Sequence, residues 1–192
     1  MIRPPEPYIL PEGLKVDKLL SYKDELRLAM EELAQDPKVR FFGYGIKYGR
    51  ANGTLKNVPD WQLIEMPVAE NLLVSVPTGM ALKGFKPLVF IERFDFIWNA
   101  SDAIVNHLDK IGRMSRYEFN PTVILRIVVG NRQKPLFTGE THTQDYTSAL
   151  RNTVSFPVLR LTAAEQIRRQ YRNAYEALGK FSTALVEYKD LM

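Results

Sequence analysis

Short, continuous apolar runs alternate along this chain with segments of helical periodicity, and that alternation limits the fold more than any other feature. Val39-Arg40-Phe41-Phe42-Gly43, Pro87-Leu88-Val89-Phe90-Ile91, Thr122 to Val129, Phe156 to Leu161 and Thr183 to Tyr188 read as strands. A run such as Leu88 to Ile91, apolar at every position rather than every second one, requires both faces of its sheet to be covered. Between the strands, Leu26, Met30 and Leu33 recur at helical spacing behind a Ser21 cap and before Asp36-Pro37. Ile97, Ala100, Ile104, Leu108 and Ile111 predict a long helix reaching about Arg116, and further helices are expected near 146–150 and over 163–178. Repeated strand–helix–strand order predicts an α/β fold: a doubly wound, mainly parallel sheet with helices on both faces and right-handed crossovers. Ligands of such sheets sit outside the carboxyl ends of the strands.

The 192 residues suffice for one packed domain, assigned to residues 19–192. An extended arm is expected over residues 1–18, where Pro4, Pro5, Pro7 and Pro11 oppose helix. Tyr44 to Asp60, with Gly45, Gly49, Gly53 and Pro59, reads as a long loop, and Gly130 to about Asp145 as a polar one. The absence of cysteine excludes disulfides, thiolate metal sites and cysteine nucleophiles, and with only two histidines no metal ligands are assigned. A net charge of +4 is compatible with an anionic small molecule and does not point to nucleic acid. Arg168, Arg169 and Arg172, with Arg113 and Arg116, read as solvated helix faces. No apolar run approaches membrane length, and the N-terminal residues carry no apolar core of a signal peptide, so a cytoplasmic protein is expected.

Ile64-Glu65-Met66-Pro67-Val68-Ala69-Glu70-Asn71 is the stretch most suggestive of chemistry. Pro67 suits the first turn of a helix, which would set Glu70 about one turn in, on an otherwise apolar helix stopped by Gly84. An acid there either complements the helix dipole or serves a site. Glu65 is the neighbouring alternative. Phe94, Phe96 and Trp98 offer aromatic surface, His142 lies in the polar loop, and His107 reads as structural, in the core or at an interface.

The order of these motifs resembles the pyrimidine-binding domain of transketolase-like thiamine-diphosphate enzymes, and in particular the β subunit of the first component of 2-oxo-acid (pyruvate) dehydrogenase. Met66-Pro67-Val68-Ala69-Glu70 is similar to that family's Thr-Pro-Ile-Ser-Glu, and Gly84-Phe85-Lys86-Pro87 to its Gly-x-x-Pro before an apolar strand. Arg93-Phe94-Asp95-Phe96-Ile97-Trp98-Asn99-Ala100-Ser101-Asp102 follows a family run like Phe-Ala-Asp-Phe-Ile-x-x-Ala-x-Asp, and Thr141-His142-Thr143-Gln144 its Thr-His-Gln. The chain departs at Gly43-Tyr44-Gly45, where those subunits carry Gly-Glu-Asp or Gly-Glu-Glu, and the resemblance, over roughly residues 20–190, implies a pyrimidine-binding domain without their C-terminal domain.

The resemblance implies a subunit of a heteromeric enzyme in which Glu70 activates the aminopyrimidine of thiamine diphosphate, so that the thiazolium ylide attacks a 2-oxo acid. It implies Phe96, with Phe94 beside it, as cofactor-binding aromatics, and His142 as a catalytic group at the reacting oxygen. The diphosphate and Mg2+ would be held by an α-type partner chain carrying Gly-Asp-Gly and a following Asn, in a heterotetramer. A ketose-donor, transketolase-type subunit and a catalytically silent scaffold of the same fold are the alternatives.

Overall fold

The computed structural model describes residues 20–134 and 139–192; the arm expected over residues 1–18 lies outside the described residues. The first helix, α1 (Tyr22–Leu33), begins where expected: the Ser21 hydroxyl oxygen accepts the Asp24 N–H at 3.1 Å. Strand β1 (Val39–Gly43) follows, then a segment of turns and a short strand, β2 (Leu63–Glu65), not expected from sequence. After α2 (Glu70–Ala81) come β3 (Lys86–Ile91), β4 (Ile124–Val129), α4 (Thr147–Thr153), β5 (Val158–Arg160), α5 (Ile167–Glu176) and β6 (Thr183–Tyr188). The expected long helix between β3 and β4 is three pieces: a 3-10 segment (Phe94–Ala100), a π segment (Asp102–Leu108) and a short α3 (Ile111–Met114). Helix α2 ends as the sequence suggests. Gly84 takes a φ of +81°, and its N–H and that of Phe85 return to the carbonyls of Ala81 and Met80.

Every strand pairing is parallel, in the order β2-β1-β3-β4-β6-β5. One face packs α2, the 94–108 segments and α4 against Phe42, Val89, Leu125 and Val186. The other packs α1, α5 and the 46–58 turns against Phe41, Leu88, Ile124 and Leu185. The α/β sheet covered on both faces is therefore as expected, and β4 and β6 are buried at every position. Two charges lie within those central strands. Arg126 of β4 forks onto Glu187 of β6, Nε and Nη2 donating at 2.8 and 2.9 Å, and the Tyr171 hydroxyl donates to the same carboxylate.

The basic helix faces are bridged to acids. Arg168 pairs with Glu25 and Glu32, Arg172 with Glu32, and Arg113 with Asp109. His107 is not in the core; it is exposed, with Nδ1 3.6 Å from the Asp102 carboxylate. Among the described residues no helix is long and apolar enough to cross a membrane.

Candidate functional site

The chain winds from β1 to β2 on one side and then to β3 on the other, so β1 and β3 flank a point where strand order reverses. Sheets of this type open a crevice there, at the strands' carboxyl ends. A cavity of about 320 Å3 occupies that place, lined by residues that include Tyr44, Glu70, Ile91, Arg93, Phe96 and His142.

Glu70 reaches it differently from the sequence expectation. Pro67 lies outside α2, and Glu70 is the first residue of the helix rather than one turn in, with Ala69 as an N-cap that offers no side-chain bond. The Met66 N–H, just past β2, is spent on the Gly43 carbonyl, 2.9 Å away, and Pro67, Val68 and Ala69 lie between it and the helix. The carboxylate stands beside unpaired N–H groups of the first turn, which favour negative charge. Glu70 is half-buried, and its one hydrogen-bond contact among the described residues is a long one, 3.5 Å from Asn99 Nδ2. Glu65 is committed elsewhere: its two oxygens accept the N–H groups of Gly45 and Lys47 at 2.5 and 2.7 Å, which fixes the turn after β1 and leaves Tyr44 at the cavity mouth.

Phe96, from the 3-10 segment, and His142, from a 3-10 turn at Gly139–His142, meet edge to face, with ring centroids 5.2 Å apart and planes at 83°. Phe94 is not brought to the cavity. It is fully buried and packs edge-on against Tyr146, a correction to its assignment as a cofactor contact. Three-residue turns rotate successive side chains by about 120°, so residues two apart diverge instead of sharing a face. Trp98 likewise turns to Tyr146 and does not line the cavity.

The chain just after the turn carrying His142 is fastened at two points. Asp95 Oδ1 accepts the Gln144 N–H at 3.2 Å. Asp145 takes the Thr147 N–H and hydroxyl, the Tyr188 hydroxyl at 2.8 Å and the Arg160 guanidinium at 3.3 Å. Burial alone would raise the Asp145 pKa, but these bonds and the Arg160 charge outweigh it and hold the carboxyl below its usual range. Beneath the turn, Gly130 lets the His142 peptide lie against β4: a Cβ there would stand 3.0 Å from the His142 carbonyl carbon and closer still to its oxygen. His142 Nδ1 lies 3.0 Å from the Thr141 hydroxyl, which leaves Nε2 without a partner among the described residues.

Arg93 also lines the cavity and was not singled out from sequence, because a charge two residues past a strand end gives no periodic signal. Neither Asp95 nor Gly130 could have been found that way, since both act through the fold. No group of three or more His, Cys, Asp or Glu side chains among the described residues is arranged to hold a metal ion.

The chain is similar to the mitochondrial pyruvate dehydrogenase E1 component subunit beta-1 of Arabidopsis thaliana, at 28% identity over 157 residues covering 79% of this chain and 42% of that protein. It is also similar to the 2-oxoisovalerate dehydrogenase subunit beta of Bacillus subtilis, at 28% over 120 residues covering 58% of this chain and 36% of that one. No family model matches the chain. In fold it is similar to a split gene transketolase described as an inactive beta4 tetramer, with a TM-score of 0.66 at 18% identity over 87% of this chain and 51% of that one. The chain thus spans about half or less of the length of these relatives.

Proposed function

Because the chain is related to the β subunits of 2-oxo-acid dehydrogenases and has a transketolase-like, thiamine-diphosphate-type fold, we propose that it is one subunit of a heteromeric thiamine-diphosphate-dependent enzyme acting on 2-oxo acids. The observation that carries the reading is the cavity beyond β1 and β3, where Glu70, Phe96 and His142 meet from three separate segments. These residues fit the aminopyrimidine half of the cofactor. Glu70 keeps lone pairs free for a ring nitrogen, since its one contact among the described residues is 3.5 Å long. Phe96 adds an aromatic surface, worth about 0.5–1.5 kcal/mol beyond burial.

When bound, thiamine diphosphate supplies a thiazolium carbon that becomes nucleophilic once its proton passes to the cofactor's own amine. Glu70 would share a proton with a ring nitrogen of the aminopyrimidine, which would favour the tautomer whose amine acts as a base. His142 offers Nε2 as a donor to an oxygen on which charge develops, and its ring is held for that by Phe96 and by the two fastenings just after its turn. The diphosphate and Mg2+ belong in this reading to an α-type partner carrying Gly-Asp-Gly and a following Asn, in a heterotetramer of two pairs.

A ketose donor of the transketolase type would use the same residues. A catalytically silent scaffold is favoured by one observation, Tyr44 at the cavity mouth, where dehydrogenase β subunits carry an acid. Turnover decides. The protein purified with its partner should consume a 2-oxo acid only when thiamine diphosphate and Mg2+ are added, and Glu70→Ala should abolish this. Full activity in the variant, or no cofactor-dependent turnover with any partner, would refute the proposal.

A further inference from the structure

Resting on that reading, we propose that Arg93 forms a subsite in the wall of the same cavity for a second, non-reacting carboxylate, so that the preferred substrate is a 2-oxo diacid. Arg93 follows the end of β3, and its side chain is only 10% exposed while lining the cavity with Glu70, Phe96 and His142. Only Nη1 is engaged, donating to the Glu92 carbonyl at 2.7 Å and the Glu92 carboxylate at 3.0 Å. Nε and Nη2 have no acceptor among the described residues. These free N–H groups remain accessible, and a planar anion entering the cavity can take both directions as a charge-assisted pair.

Local charge points the same way. Lys189, just past β6, has its ammonium pKa pushed below the usual value, first by burial and then by the Arg93 charge, with Glu92 offsetting only part. Its Nζ makes one long contact, 3.4 Å to Asn52 Oδ1. The Arg93 charge, paired only with the adjacent Glu92, is thus not fully offset, which favours an incoming anion.

The anion is not the carboxylate that leaves as carbon dioxide. That group sheds its charge in the transition state, so a fixed cation on it would stabilise the bound substrate more than the transition state and slow the step. A distal carboxylate keeps its charge throughout, and binding it orients the reacting end towards Glu70 and His142. Arginine's rigid fork suits a planar carboxylate, whereas lysine would supply only a point charge.

The test separates this subsite from the proposed activity, because it first uses ligands that cannot react. Isothermal titration of the protein, purified with any subunit that accompanies it, compares glutarate, butyrate and methyl phosphate. Glutarate should bind at least about tenfold more tightly than butyrate, the range of a charge-assisted hydrogen bond. Arg93→Gln should erase the difference and Arg93→Lys restore part of it, with melting temperature monitored for both. In turnover, the preference in kcat/KM for 2-oxoglutarate over 2-oxobutyrate should fall about 10- to 100-fold in Arg93→Gln. Equal binding of glutarate and butyrate, or a glutarate preference that survives Arg93→Gln, overturns the proposal. Tighter binding of methyl phosphate than of glutarate overturns the carboxylate assignment. Loss of all thiamine-dependent turnover with the glutarate preference intact refutes the activity and not the subsite.

Discussion

Gly130→Ala is the sharpest single-atom perturbation of the site. The added methyl carbon would stand 3.0 Å from the His142 carbonyl carbon and nearer to its oxygen. Carbon contacts are comfortable only from about 3.5 Å, so the His142 peptide must retreat by on the order of 1 Å. Gly130 follows β4, a central strand buried at every position, so the turn yields and not the strand. That turn is polar and none of its residues Gly139–His142 is buried, which limits the stability loss to about 1 kcal/mol, or roughly 2–4 °C in Tm for a chain of this size. The retreat pulls the His142 ring off the Phe96 edge, now 5.2 Å away between centroids, and strains the Asp95–Gln144 bond. A displacement of about 1 Å in a catalytic group is worth about a hundredfold in rate. Steady-state kinetics beside a thermal melt read both quantities. The expected result is a near-normal melt with kcat down about a hundredfold; kcat within twofold of wild type would refute the role given to His142's placement.

Further predictions concern the core and its surroundings. Glu187→Gln leaves Arg126 charged and uncompensated in the middle of the sheet, and urea unfolding should show a loss of about 3–5 kcal/mol, while Arg126→Met with Glu187→Leu costs far less. A loss under about 1 kcal/mol in the single variant would contradict this. Burial would raise the Asp36 pKa, yet bonds from Lys86, Tyr175 and the Lys38 N–H outweigh it and hold it at about 2 against an ordinary 3.8. Its folded pKa is depressed, so its contribution is complete above pH 3.8 and lost as pH falls towards 2; after screening this is roughly 1–2 kcal/mol, and Asp36→Asn should flatten that acid limb in pH-dependent melts. Phe94→Ala should lower stability by about 3–5 kcal/mol, because Phe94 is fully buried, whereas Phe96→Ala should leave the melt near wild type and weaken cofactor binding.

Much of the fold was legible because β3, β4 and β6 are buried on both faces and so are apolar at most consecutive positions, interrupted by the paired Arg126 and Glu187 and by Thr183. Strand β2 was not, since Leu63–Glu65 is three residues long on the sheet edge and follows seventeen residues without periodicity. The stretch from Ile97 to about Arg116 read as one helix because apolar spacing of three to four is shared by α, 3-10 and π turns over so few residues. Residues two apart diverge in any of these helix types, so Phe94 and Phe96 could not both face the cavity. Glu70, Phe96 and His142 could be named only through a family resemblance, since nothing in their own neighbourhoods told them from an exposed acid, a core ring and a solvated histidine. Arg93, Asp95 and Gly130 acquire meaning only when the sheet brings the ends of β3 and β4 and the 139–146 segment together.

The central claim is that Glu70 activates a bound cofactor, and proton exchange at the thiazolium carbon tests it without needing the right substrate. With the partner chain, thiamine diphosphate and Mg2+ present, quenched-flow NMR measures the rate at which that proton exchanges with deuterated solvent. The account predicts exchange much faster than for free cofactor and about 100- to 10,000-fold slower in Glu70→Gln, with the cofactor still bound. Exchange at the wild-type rate in Glu70→Gln would contradict it.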